Sequence, residues 1–411
     1  MSWSEHAIWW HVYPLGACGA PIREPHPEPG HRLNRLLNWL DYATELGTSG
    51  LLLAPVFASS THGYDTTDQF RIDPRLGDDA DFAALIEACH SRGMKVVLDG
   101  VFSHVGREHP AVAAALANGP DSPEAELFDI DWQHPDGPQP RVFEGHGALV
   151  RLNHASQRAR DYTVDVMNHW IERGADGWRL DAAYSVDNAF WADVLPRVRE
   201  RHPHAWFLGE VIHGDYPAFV EQSTVDTVTQ YELWKAIWSS LKERNFFELD
   251  WTLQRHNEFL QTFVPQTFIG NHDVTRIAST VGQDGAILAL AILMTVGGIP
   301  SVYYGDEQGF TGVKEERADG DDAVRPPLPD SPADLLPFGR HAHRAYQELI
   351  GLRRRNHWLT RATTRSLALT NTHYVYQAEA DGQLLTVELL LDHDPAEVVI
   401  RDRDGLELWR S

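Results

Sequence analysis

Three acidic residues stand in separate short segments of the chain: Asp181 in GWRLDAAY, Glu210 in FLGEVIHG and Asp273 in FIGNHDVTR. Each follows an apolar run of strand length, as a residue at the C-terminal end of a buried strand does. Carboxyl groups gathered from such positions suit the cleavage of glycosidic bonds. That reaction needs one protonated and one ionised carboxyl in unlike surroundings, and a third acid can tune the charge between them. A lone aspartate at a strand end is as often a loop anchor, so the weight lies on the three together. Arg179 precedes Asp181 by two residues, which on a strand puts both side chains on one face. A guanidinium there is expected to lower the pKa of Asp181 and keep it ionised.

Positioning such a set needs parallel strands whose ends converge. Eight strand candidates alternate with helix-period segments: residues 7–13, 50–56, 94–102, 175–181, 205–211, 225–230, 265–271 and 299–305. Eight βα units predict an α/β protein, a (β/α)8 TIM barrel with its site at the C-terminal strand ends. Helices are expected over 32–46, 80–92, 157–173, 189–201 and 231–243. The barrel is assigned residues 1–104 and 154–360. The Pro-, Gly-, His- and Asp-rich stretch 105–153 is too long for a simple βα loop and is read as an inserted subdomain. Residues 361–411 alternate apolar and polar positions and predict a small antiparallel β-module.

A formal net charge of −24, from 59 acidic and 35 basic residues, argues against nucleic acid or an anionic membrane as partner. The longest apolar stretch, Ala286 to Pro300, reads as a buried helix too short to span a bilayer. The opening MSWSEHAIWWHVYP has no basic-then-apolar leader pattern, and Cys18 and Cys89 lack metal-ligand spacing. A cytoplasmic protein is expected.

Beyond the acids, the order of segments DGVFSH (99–104), GWRLDAAY (177–184), GEV (209–211) and IGNHD (269–273) resembles the α-amylase family of retaining glycoside hydrolases. GYDTTDQF (63–70) and GGIPSVYYGDEQGF (297–310) extend the resemblance over the barrel. It implies Asp181 as nucleophile, Glu210 as general acid/base and Asp273 as the acid that holds the distorted ring. The first two carboxyls are then expected roughly 5 to 5.5 Å apart. It further implies that His104 and His272 bind hydroxyls of the cleaved sugar, that Tyr64 stacks beneath it, and that Asp99 organises Arg179. In GDDAVRPP, Asp322 and Arg325 are expected to border the non-reducing side, with a plain surface ion pair as the alternative.

Two departures narrow the resemblance. Ser103 stands where the family usually has an Asn that helps bind a structural calcium, and a hydroxyl is a poorer ligand for that hard cation. Neither a metal nor an organic cofactor is therefore expected. After Asp181 the chain reads Ala-Ala-Tyr, where many starch-degrading relatives carry a Lys-His pair on the leaving-group side. LVRLNHASQRARDYTVDVMNHWIERGADGWRLD is more similar to cyclomaltodextrinases and neopullulanases, which pair through an extra N-terminal domain. A homodimer here would use another surface. The resulting expectation is hydrolysis of α-1,4 bonds, with α-1,6 as a second candidate linkage, in short or cyclic maltooligosaccharides. The alternatives are a transglycosidase or disaccharide isomerase using the same intermediate and, last, a non-catalytic barrel serving as a binding or transporter subunit.

Overall fold

The structure is a computed structural model that describes residues 3–24, 28–317 and 319–411. Met1 and Ser2, which open the segment read as leaderless, lie outside the described residues. Eight short strands pair in parallel: β1 (Trp9–Val12), β2 (Gly50–Leu53), β3 (Lys95–Gly100), β4 (Gly177–Leu180), β5 (Trp206–Gly209), β6 (Thr227–Val228), β7 (Gln266–Phe268) and β8 (Ile299–Tyr303). Their hydrogen-bonded order is β6-β5-β4-β3-β2-β1-β8-β7. The two ends of that order meet through a parallel bridge between Thr229 and Gln266, and Gln230 N donates to Gln266 O at 2.9 Å. The sheet thus closes into the barrel expected from the sequence, each strand lying within its apolar run.

Side-chain alternation decides what faces the barrel axis. Trp9, Leu52, Val97, Trp206 and Leu208 pack together inside. Their strand neighbours Trp10, Leu51, Leu53, Val96, Leu98 and Phe207 belong to the larger core beneath the helices. Gly50 makes room for the inner plug, because a Cβ there would come within 2.5 Å of the Trp9 ring. Removing such a ring from a packed core costs about 3–5 kcal/mol. Two residues on from Trp9 and Val97 the interior turns polar, with His11 on β1, Asp99 on β3 and Arg179 on β4, all buried. Strand starts therefore carry the packing and strand ends carry the chemistry.

The surrounding helices are α1 (Leu40–Leu46), α2 (Asp79–Ser91), α3 (Gln157–Ile171), α4 (Asn188–Arg201), α5 (Tyr216–Ser223), α6 (Tyr231–Glu243), α7 (Phe247–Phe259), α8 (Ile277–Thr295) and α9 (Arg340–Arg355). Side-chain caps start several of them: Asp78 for α2, Ser156 for α3, Asp187 for α4 and Asp215 for α5. Asp78, Asp81 and His31 lie close enough together to suggest a cation site. The α2 capping box and the 2.7 Å pair between His31 Nδ1 and Asp81 Oδ2 account for that cluster.

Two elements differ from expectation. The helix read over 32–46 divides into a 3-10 segment, Arg32–Trp39, followed by α1. α8 begins ahead of Ala286 and, over 19 residues, is long and apolar enough by length and composition to cross a membrane. In the fold 61% of that apolar window is buried, and α8 packs against α6, α9 and the C-terminal strands.

Between β3 and α3 the chain forms an antiparallel pair, His104–Gly106 with Leu149–Arg151, and a helix, Pro110–Asn118, around an apolar cluster of its own that includes Val112, Phe128 and Val150. After α9 come five antiparallel strands in sequence order, β9 (Thr363–Leu369), β10 (His373–Ala380), β11 (Gln383–Leu390), β12 (Glu397–Asp402) and β13 (Glu407–Arg410). This sheet docks on the helical layer: the hydroxyls of Tyr376 and Thr295 meet at 2.6 Å, and Trp409 Nε1 donates to Glu348 Oε2 at 2.8 Å.

Candidate active site

The ends of β3, β4 and β5 bring Asp99, Arg179, Asp181 and Glu210 onto one buried guanidinium. Arg179 pairs with Asp99 Oδ2 at 2.6 Å and Asp181 Oδ1 at 3.2 Å through Nη1, and with Glu210 Oε1 at 2.6 Å through Nη2. The β3–β4 register sets Arg179 directly beside Asp99. Glu210 receives two further hydrogen bonds, from Ala182 N to Oε2 at 2.9 Å and from the Tyr231 hydroxyl to Oε1 at 3.1 Å. Ala182 has a left-handed backbone, φ 44, a costly conformation for a residue with a β-carbon. That bend aims its N–H at Glu210.

The electrostatics of Asp181 differ from the sequence expectation. Burial and then the negative charge of Glu210 push its carboxyl well above the usual carboxylate range, against the pull of Arg179. The reason is geometric: Arg179 gives its two shortest contacts to Asp99 and Glu210, and only the longest to Asp181. Asp99 is itself raised by burial, and its Oδ1 is buried without a hydrogen-bond partner.

Asp273, on the loop after β7, faces a different environment. Its Oδ2 lies 2.9 Å from His272 Nε2 and its Oδ1 2.8 Å from Arg325 Nη2. Burial works against ionisation, but the charge and hydrogen bond of His272, followed by the charges of Arg325 and Arg179, hold this carboxyl well below the usual range. Asp273 is thus held in its ionised form. Asn271 Oδ1 accepts its backbone N–H at 2.9 Å, and Asn271 Nδ2 donates to the Tyr231 hydroxyl at 3.0 Å, so one amide links the Asp273 loop to Glu210.

Tyr64 stacks on His272 with ring centroids 5.4 Å apart and planes 6° apart. Its hydroxyl hydrogen-bonds Asp99 Oδ2 at 3.1 Å and also touches His272 Nε2. His104 is buried, and burial lowers its pKa to about 4, so the ring is neutral. Its Nε2 lies 3.0 Å from the Tyr64 carbonyl oxygen and its Nδ1 2.8 Å from Ser103 Oγ. A carbonyl only accepts, so Nε2 carries the proton and Nδ1 accepts from the serine hydroxyl.

Arg325 is buried, not part of a surface ion pair. Besides Asp273 it holds Asp321 Oδ2 at 3.0 Å and donates from Nε to the His272 carbonyl at 2.9 Å, with its guanidinium 4.6 Å from the centre of the Tyr13 ring. Asp322 corrects the expectation: its side chain is 49% exposed, turns outward and pairs with Arg23 Nη1 at 2.5 Å. The 3-10 turn Asp322–Val324 brings Asp321, four residues before Arg325, to the place expected for its neighbour. Arg325→Ala is accordingly expected to lower kcat/KM roughly 10- to 100-fold, the size of a lost charged hydrogen bond. Asp322→Asn should stay within about twofold, the ordinary range for a surface change. Initial rates on maltotriose check both.

Asp181, Glu210, Asp273, Tyr64 and His104 all line one open cleft of about 450 Å³. Arg179 lies beneath its floor and His272 behind Tyr64. Residues the sequence reading did not single out complete the surroundings: Tyr231 and Asn271 around Glu210, His11 at 3.2 Å from His272 Nδ1, and Glu144 and Tyr184 on the rim. Asn271 and Tyr184 lie inside quoted motifs, and His11, Tyr231 and Glu144 carry no local signal.

A (β/α)8 barrel that gathers three carboxyls and a shared guanidinium at its C-terminal strand ends belongs to the class of barrel glycosidases. More particularly, the chain belongs to the α-amylase family: "Alpha amylase, catalytic domain" matches residues 32–360. It is 31% identical over 392 residues to neopullulanase 2 of Thermoactinomyces vulgaris, covering 89% of this chain and 65% of that protein. A cyclomaltodextrinase of Geobacillus thermopakistaniensis is 29% identical over 425 residues, covering 96% of this chain and 70% of its own. The chain thus spans about two thirds of the length of these relatives. Among solved structures, the cyclic α-maltosyl-(1→6)-maltose hydrolase of Arthrobacter globiformis in complex with maltose superposes with a TM-score of 0.82 at 26% identity, covering 95% of this chain and 92% of that one.

Proposed function

We propose that the protein hydrolyses α-1,4 bonds, and α-1,6 bonds as a second linkage, in short or cyclic maltooligosaccharides by a retaining mechanism. The observation that carries the reading is Arg179, whose guanidinium holds both Asp181 and Glu210 at the cleft floor. Asp181 attacks the anomeric carbon, Glu210 protonates the departing oxygen, and the ionised Asp273 binds ring hydroxyls with Arg325 beside it. Positive charge developing at the anomeric carbon favours ionised Asp181. A non-catalytic barrel is disfavoured because this pairing would bury like charges to no purpose.

Neither an organic cofactor nor a structural calcium belongs to the reading. Ser103, at the family's calcium position, is buried and has its hydroxyl committed to His104. Cys18 and Cys89 are both free and buried, which suits a reducing, cytoplasmic setting. A homodimer would bury Phe247 and Trp251, 51% and 63% exposed one turn apart on α7.

The test is a product profile over maltose, maltotriose, cyclodextrin, panose and soluble starch, with proton NMR of the newly formed anomers. Expected are α-anomers as first products, faster turnover of the oligosaccharides than of starch, and rates unchanged by a chelator. Products longer than the substrate at every concentration would favour the transglycosidase. First-formed β-anomers would exclude retention.

A further inference from the structure

Tyr184 and Glu144 come from different parts of the chain, the loop after β4 and the inserted segment, and both line the cleft. They meet: the Tyr184 hydroxyl donates to Glu144 Oε1 at 3.0 Å. Tyr184 is fixed from the barrel side, its backbone N–H donating to the Glu210 carbonyl at 3.3 Å and its ring lying edge-on to His213 with centroids 5.7 Å apart. Glu144 is fixed from the inserted side. Its neighbour Phe143 packs on His104 with centroids 4.5 Å apart. Glu144 itself has a left-handed backbone, φ 45, and a residue with a β-carbon keeps such a conformation only where its surroundings hold it. Glycine would adopt it freely, as Gly145 does beside it at φ 82. An incidental surface hydrogen bond gives no reason for that arrangement, whereas a side chain placed deliberately across the cleft does.

The side of the cleft follows from the acids. Asp273 and Arg325 hold the ring that stays bound, while Glu210 serves the oxygen that departs. Tyr184 stands beside Glu210, and Ile212, 44% exposed and two residues past Glu210, adds an apolar surface there.

We propose that the contact between Tyr184 and Glu144 closes the leaving-group side of the cleft just past the cleaved bond, so that the protein selects short leaving groups against long glucan chains. The inference rests on the glycosidase reading and adds to it the residues that set substrate length. A leaving group of one or two sugars ends before the contact and packs on Ile212. A longer linear chain reaches it and must part the two side chains.

The experiment compares maltoheptaose with maltotriose for the unaltered protein, Glu144→Gly, Tyr184→Phe and the double variant. Glycine keeps the left-handed loop while removing the wall, and phenylalanine removes only the hydrogen bond. For Glu144→Gly the ratio of kcat/KM, maltoheptaose over maltotriose, is expected to rise about tenfold, a change in preference of about 1.4 kcal/mol. Tyr184→Phe should move the ratio in the same direction, and the effect of the double variant should fall short of the sum of the two single effects, as for residues in contact. Ratios within about twofold of the unaltered protein for both single variants, or fully additive effects, would overturn the proposal. Failure of the unaltered protein to cleave any α-glucan is a different result: it brings down the glycosidase reading itself, and this inference with it.

Discussion

Asp181→Asn is expected to abolish turnover, lowering kcat on maltotriose on the order of 10⁴-fold or more, the scale seen when a covalent nucleophile is removed. An amide has nearly the shape of the carboxylate, so the cleft and the contact with Arg179 survive. What disappears is the oxygen anion that forms the glycosyl bond and offsets positive charge on the sugar. Stability should move the other way. Because burial and Glu210 raise the Asp181 carboxyl, its ionised form is disfavoured in the folded protein. A group with a raised folded pKa contributes most to stability below its unfolded value, about 3.9 for aspartate, and loses that contribution as pH rises through the folded value. Asparagine has no such loss. The variant's Tm relative to the unaltered protein should therefore increase between pH 4 and pH 7, a trade of stability against activity common in active sites. Thermal unfolding at several pH values, beside initial rates, checks both halves. Full activity of Asp181→Asn would remove the nucleophile assignment altogether.

The barrel was legible because its strands are continuous apolar runs, and the acids were legible because each closes such a run. Alternation alone put Arg179 on the face of Asp181. It did not reveal that Arg179 is shared, since Asp99 and Glu210 reach it from neighbouring strands whose register lies outside any local pattern. The expected sign of the Asp181 shift failed for that reason. Asp322 was misplaced because irregular loops have no period: one turn of 3-10 helix turned it outward and put Asp321 in its stead. Tyr231 was visible only as the start of a helix, and its role comes from the meeting of the β5 and β6 ends. The start of α8 was hidden by the break at Gly282, φ 77, beside the polar Gln283 and Asp284.

Glu210→Gln is expected to slow hydrolysis of maltotriose by about 10³- to 10⁴-fold, toward the upper end of what one general acid/base residue contributes. The size should depend on the leaving group, which distinguishes proton transfer from a loss of structure. A sugar alkoxide departs badly without a proton, whereas fluoride departs without one. With α-maltosyl fluoride the first step should be nearly spared, so Glu210→Gln accumulates the Asp181-linked intermediate, because the same residue is needed to deprotonate the incoming water. Azide needs no deprotonation. Adding it should restore turnover and give α-maltosyl azide, the anomer produced when a second inversion follows the first. The amide oxygen of the introduced glutamine would still accept from Tyr231 and Arg179, with only the bond from Ala182 N to the other oxygen lost, so the fold around it should persist. If the variant lost all substrates equally and azide gave no adduct, Glu210 would have to be reassigned as a structural partner of Arg179. Mass spectrometry of the intermediate and NMR of the azide product decide between the two.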